Sequence, residues 1–387
     1  MPFEASCGRV IACAVVALPL LCSSAHAQLA VSANDGKAVL VDGVSKTPAS
    51  PAADTVSIID LNVSPPKVVG EVKAPASVVG PPMSVAVAPD ESIAVVTGAM
   101  KIDPADATKS VPDNKLSVID LKATPPAVVA TLEAGLGAAG VSFNRAGSLV
   151  LVANRSEGTV SIFTVNGKTL TPAGKVDFGA KASGPSHAVF SVDGKTALVT
   201  RDGDNKVSVL SVDGSKVEYT KRDLGAGLRP YGIDVSSKGD AAVVANIGTG
   251  AGDADTVSVI DIAAKPPRVV DTITVGQTPE GLKLSPDGQY AAVAVMNGSN
   301  KPKSSPFFND NGLLKIYRLE DKRLTPVTEA KVGHWCQGIA FSKDSKTVLV
   351  QCMVENEIMV FDFDGKTLTP KPAIKVTGPA GIRTAEK

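Results

Sequence analysis

From about residue 29 onward this chain repeats one pattern seven times, in blocks of roughly 40–55 residues. The clearest copy reads Thr256-Val-Ser-Val-Ile-Asp-Ile262, Pro266-Pro-Arg-Val-Val270, Val275-Gly-Gln-Thr-Pro-Glu-Gly281, Leu284-Ser-Pro-Asp-Gly288 and Ala291-Ala-Val-Ala294. A unit of that size cannot bury its apolar face alone, so neighbours must stack on one another, and the choice narrows to a propeller or a solenoid. The length alone would allow two or three ordinary domains; the repeat overrides that prior.

Each block resolves into four short strands, A to D from the inside outward. Thr256–Ile262 reads as strand C and Arg268–Thr274 as strand D. Glu280–Ser285 opens the next blade as strand A, Asp287-Gly288 signals a two-residue hairpin, and Gln289–Val295 is strand B. The B strands are Val/Ala-rich runs such as Ala241–Ala245 and Val348–Val350, as expected of strands covered on both faces. The expected fold is all-β: a seven-bladed β-propeller of four-stranded antiparallel blades over residues 28–387, closed by pairing of the N- and C-terminal segments in one blade. Two segments compete for the inner strand of the first blade, Leu29–Asn34 and Gly381–Thr384. The B–C connections are long at Gly43–Asp54, Ala99–Asn114, Ile247–Asp255 and Asn297–Asn311. By chain direction the B–C and D–A loops share one face, and that loop-rich face is where binding is expected.

Residues 1–27 stand outside the repeat. An apolar run Ile11–Leu21 follows Arg9, and Ala25-His26-Ala27 is a small-x-small cleavage site. This reads as a secretory signal peptide cut near Ala27/Gln28, with the protein periplasmic or secreted and no later segment suited to membrane insertion. Lys+Arg and Asp+Glu balance at 39 each, without basic clusters, which argues against nucleic acid as a partner. Aromatic residues make up only 4 %, against the sugar- and peptide-binding surfaces that rely on aromatic platforms.

The strand C ending in Ile-Asp, the Gly-x-x-Pro-x-Gly connection and Ser-Pro-Asp-Gly together resemble the YVTN-type repeat of secreted seven-bladed propellers, over essentially the whole of residues 28–387. Gly184-Pro-Ser-His-Ala-Val-Phe190 with Asp193-Gly-Lys-Thr-Ala-Leu-Val199 also resembles the Gly-Pro-Arg-His stretch of lactonases related to 6-phosphogluconolactonase. Ser186 replaces that family's Arg, and its acidic residue after strand B falls near Arg201-Asp202. The resemblance implies a ring-opening hydrolase with His187 or Asp202 as base and Arg201 or Arg229 as the cation for a developing oxyanion. The alternative is that His187 hydrogen-bonds across neighbouring loops. Quinoprotein dehydrogenase subunits are similar at the level of fold.

Arg155, Arg201, Arg229 and Glu280 are expected near one mouth of the channel, from their positions after B strands or before A strands. Converging arginines suit a carboxylate or phosphate ligand; equally, they could pair with Asp202 and Glu280 and brace the loops. His334 and Trp335 precede an inner strand and are expected at the same mouth. Cys336 and Cys352 are equidistant from the turn at Lys343-Asp-Ser345, so they face each other in a hairpin and are expected to form a disulfide. A soft-metal or redox site with His334 is the competing reading. No cofactor is expected, since heme, nucleotide and nucleophile-elbow motifs are missing. The leading expectation for function is a non-catalytic binding or assembly module taking a protein or a small anionic ligand on its loop-rich face. The alternatives are a lactonase-like hydrolase and an accessory subunit of a periplasmic redox enzyme.

Overall fold

The computed structural model describes residues 1–4, 28–80 and 82–386. The apolar run and cleavage-site residues of the expected signal peptide lie outside the described residues. No described helix is long and apolar enough to cross a membrane.

Seven antiparallel four-stranded sheets form the seven blades, with one small extra hairpin, Val39–Val41 with Val44–Lys46. The competition for the first blade resolves in favour of the late segment. Pro379–Thr384 is the innermost strand, Leu29–Asn34 lies second, and Thr55–Asp60 and Lys67–Lys73 complete the sheet. Burial falls from axis to rim as the repeat implies. Leu149–Asn154 and Tyr290–Val295 are buried at every residue, while the rim strands Lys67–Lys73 and Ala127–Glu133 are exposed or partly exposed throughout. Apolar Val and Ala side chains of the middle strands pack against both neighbouring blades, and burial of this kind is the main favourable term in folding.

Two expectations are corrected. Ala99–Asn114 is not a loop: Ile93–Asp103 and Asp106–Asp120 continue as one long hairpin, with Met100 paired to Pro112 and Ile102 to Ser110. The Asp-Gly turns are wider than a two-residue hairpin. At Ser285–Tyr290 only Gly288 takes a positive φ (67°), while the Asp287 carboxylate accepts the Gln289 N–H and the Ser285 hydroxyl accepts the Tyr290 N–H. The side chains close that turn in place of a second left-handed residue.

Three features recur in most blocks and shape the channel wall. The residue before the inner strand is left-handed: Gly137, Gly184 and Gly378, but also Arg229 (φ 55°), Thr278 (53°) and Trp335 (50°). Next, the inner strand bulges within its first four residues, as at Pro185/His187, Pro230/Ile233 and Pro279/Gly281, which re-aims the side chains there. Then comes a glycine where adjacent inner strands nearly touch. A Cβ on Gly281 would sit 1.6 Å from the Gln337 carbonyl oxygen, and one on Gly140 2.6 Å from that of Ser186. At the far end of strand B, Asn34, Asn154 and Asn246 each donate to two hydroxyls of strand C, tying the second strand to the third (Asn154 to Thr159 and Ser161, both 2.9 Å).

Candidate functional site

The bulged position of the inner strands carries Ser186, Tyr231, Glu280 and Gln337 in blades four to seven and Ala139 and Ala380 in blades three and one; in blade two Met83, just before the inner strand Val85–Val87, holds the corresponding place in the sequence. The loop-face end of the channel is therefore polar on one side and apolar on the other. Met83 is fully buried, and its Cε lies 2.5 Å from where a Gly232 Cβ would stand, so this side chain reaches across from blade two to blade five.

On the polar side, Asp202 organises two cations. Its Oδ2 accepts from Arg155 Nη2 (2.6 Å) and Arg229 Nη2 (3.1 Å), while Oδ1 accepts from Arg155 Nε (3.2 Å) and the Ser186 hydroxyl (2.9 Å). Burial pushes the Asp202 carboxyl up, but these donors outweigh it and hold it below the usual carboxylate range. Arg155 and Arg229 keep roughly a third of their side chains exposed (31 % and 37 %), so they remain open to a ligand while Asp202 (4 %) does not. Arg155 lies over the ring of buried Tyr231, 5.5 Å from its centroid. Burial pushes the Tyr231 phenol well up, so it stays neutral.

Glu280 faces this pair from the next blade. Burial is the largest influence on its carboxyl and raises it to about 7; a hydrogen bond with Gln337 and the charges of Arg155 and Arg229 only partly offset that. A carboxyl balanced near neutrality beside two oriented guanidiniums can exchange a proton while the cations stabilise a developing negative charge.

The other expected residues do not join this cluster. His187 does not open onto the loop-face mouth. It is 3 % exposed, standing where most other inner strands carry glycine, with Nδ1 3.0 Å from the Ile233 carbonyl oxygen and Nε2 3.1 Å from the Ser142 hydroxyl. Burial first, then nearby Arg383, lowers its imidazole to about 3. Arg201 turns away from Asp202 into its own blade: it donates to Ser208 (3.1 Å), pairs with Asp204 and lies 4.5 Å from the Phe178 ring centroid. It replaces the strand-end asparagine of other blades. The backbone N–H and Nδ1 of His334 both engage the Glu355 carboxylate (Nδ1 at 2.7 Å). Trp335 packs among Val78, Met296, Met353 and Ala380 and offers no aromatic platform. Cys336 and Cys352 are paired across the strands and joined as a disulfide, which leaves neither sulfur free as a thiolate ligand.

Sequence reasoning passed over Tyr231 and Gln337. Aligning the inner strands on their glycine would have found them, because Tyr231 and Gln337 precede Gly232 and Gly338 as Glu280 precedes Gly281.

Comparison with known proteins agrees with this architecture. Residues 140–302 match the family model described as lactonase, 7-bladed beta-propeller, and this segment contains Arg155, Asp202, Arg229, Tyr231 and Glu280. No curated protein matches the chain significantly. Among solved structures, a candidate 6-phosphogluconolactonase from Bacteroides fragilis is 16 % identical at a TM-score of 0.71, covering 94 % of this chain and 99 % of that one. The periplasmic gluconolactonase of Pseudomonas aeruginosa is 18 % identical at 0.68, covering 92 % and 98 %. Hydrazine synthase of Kuenenia stuttgartiensis is 17 % identical at 0.61, covering 81 % and 91 %. At such identities these likenesses establish the fold: a seven-bladed propeller of the kind lactonases use.

Proposed function

We propose that this propeller hydrolyses a lactone at the loop-face end of its channel. The observation that carries the reading is Glu280, a carboxyl raised to about 7 beside two arginines that Asp202 holds in place, within the segment that matches a lactonase model. In this reading Glu280 takes a proton from water and the hydroxide adds to the lactone carbonyl carbon. Arg155 and Arg229 receive the charge that builds on the carbonyl oxygen. Collapse breaks the ring C–O bond, the proton passes from Glu280 to the departing ring oxygen, and a hydroxy acid results. Asp202 positions the arginines and His187 braces the wall. The two cations favour a substrate with an anionic substituent, and the names of the two lactonase-like neighbours point to sugar lactones.

The test is pH-stat hydrolysis of glucono-δ-lactone and a panel of sugar and aliphatic lactones, with Glu280→Gln and Asp202→Asn alongside. Loss of a positioned general base lowers kcat/KM by about 10²–10⁴. A wild-type protein inert on the whole panel overturns the proposal. A second reading, the non-catalytic module, is favoured by the exposed apolar side chains of Leu136, Leu228, Phe307 and Val354 on loop-face connections. Deletion of residues 300–308 that abolished a partner interaction while leaving lactone turnover intact would support it, and co-purification of a heme or quinone protein would identify an accessory-subunit role. The proposal also puts the protein in an oxidising compartment, periplasmic or external, where a Cys336–Cys352 disulfide persists.

A further inference from the structure

The opposite end of the channel carries a second charged cluster that the lactone chemistry does not use. Near the ends of the inner strands stand Asp234, Lys283 and Arg383, on blades five, six and one. Lys283 is 7 % exposed at its side chain and bridges Asp234 (3.0 Å) and Glu386, which follows the closing strand. Arg383 is 5 % exposed as a residue. Its Nη1 donates to the carbonyl oxygens of Ile339 (3.2 Å) and Ile382 (3.0 Å), but its buried Nη2 has no hydrogen-bond partner among the described residues. A buried guanidinium donor without an acceptor is costly and rare.

Two adjoining cavities open beside these groups. One, of about 250 Å³, is lined by Asp234, Lys283, Lys343 and Glu386 among others. A smaller one is lined by His187 and Arg383, and the two share Arg145, Thr384 and Glu386. The larger volume lies below the ~300–1,000 Å³ of drug-sized ligand sites, so it suits a molecule of few heavy atoms. Lys283, Arg383, Arg145 and Lys343 supply four positive charges against Asp234, Glu91 and Glu386. The Glu386 side chain is 52 % exposed, so of the three carboxylates it is the one placed to leave. With Glu386 turned away, four cations face two carboxylates.

We propose that this end of the channel is a binding site for a small carboxylate anion, and that the Glu386 carboxylate on Lys283 is an internal stand-in that competes with that ligand. The incoming carboxylate takes the place of Glu386 on Lys283 and supplies the acceptor that Arg383 Nη2 lacks.

Isothermal titration with citrate and succinate, at constant ionic strength and with sulfate as the control anion, tests the assignment on the whole protein. Glu386→Gln keeps the shape of the side chain and removes its competing charge. It should bind citrate at least tenfold more tightly than the wild type, and adding Arg383→Gln should abolish the gain. If that double variant fails to fold, Arg145→Gln in the Glu386→Gln background should weaken citrate several-fold. Absence of carboxylate binding in Glu386→Gln, equal affinity in Glu386→Gln and wild type, or sulfate binding as tight as citrate would each overturn the proposal.

Discussion

Replacing Glu280 by glutamine tests the central electrostatic claim without presupposing any reaction. In an unfolded chain this carboxyl ionises near 4.5, whereas in the folded protein burial raises it to about 7. Between those values the folded state holds a proton that the unfolded state has released, so folding is favoured below the window and loses that favour as pH rises through it. The full difference corresponds to about 3 kcal/mol, reduced to about 2 kcal/mol because the side chain still meets some water. Glu280→Gln has no proton to lose. Its stability relative to wild type should therefore rise by about 2 kcal/mol from pH 4 to pH 8, with most of the change between 4.5 and 7. Urea unfolding followed by the fluorescence of Trp335, the single and buried tryptophan, gives both curves. Other titrating groups cancel in the difference between the two proteins. A gap constant to within about 0.5 kcal/mol across that range would show that Glu280 ionises like a carboxyl in water, and the general-base assignment would fall with it.

Other outcomes follow from the same packing. His187, held at about 3 against an ordinary 6.5, is neutral when folded and takes up a proton on unfolding, so its contribution is lost as pH falls through that window. From pH 8 to pH 5 the wild type should lose about 2 kcal/mol more stability than His187→Gln, and parallel curves would put this ring in contact with water. Denatured, unreduced protein should show no reactive thiol from Cys336 or Cys352. The double Cys→Ser variant should unfold about 3 kcal/mol more easily in denaturant, on the loop-entropy argument for a bridge spanning 16 residues. Gly281→Ala should cost at least about 2 kcal/mol by overpacking, because its methyl group would lie 1.6 Å from the Gln337 carbonyl oxygen. An unchanged melting temperature would mean the two inner strands are not so close.

The architecture was legible in the residues because a propeller writes the same local physics seven times. Apolar runs mark strands covered on both faces, Pro-x-Gly marks where inner strands meet, and the equal spacing of Cys336 and Cys352 from one turn fixes their pairing. Such patterns act over a few residues and survive without knowledge of the rest of the chain. The long hairpin at Ala99–Asn114 reads as a loop because its polar residues form a ladder that projects from the sheet without burying a face.

The residues leave the inner strand of the first blade open, since Leu29–Asn34 and Gly381–Thr384 both carry inner-strand patterning and only closure of the ring ranks them. The site divided in the same way. That Arg155, Arg229 and Glu280 cluster near one mouth could be read from their places in the repeat. Which way each side chain turns could not: Arg201 points outward to Ser208 and Phe178, its neighbour Asp202 points to two arginines from other blades, and His187 is sealed between Ser142 and Ile233. The sequence by itself determined the blade, its strands and its repeat number, because those depend on local periodicity. Only the tertiary structure decided which blades become neighbours around the axis, and burial between neighbours is what sets the charge and partners of Glu280, Asp202 and His187.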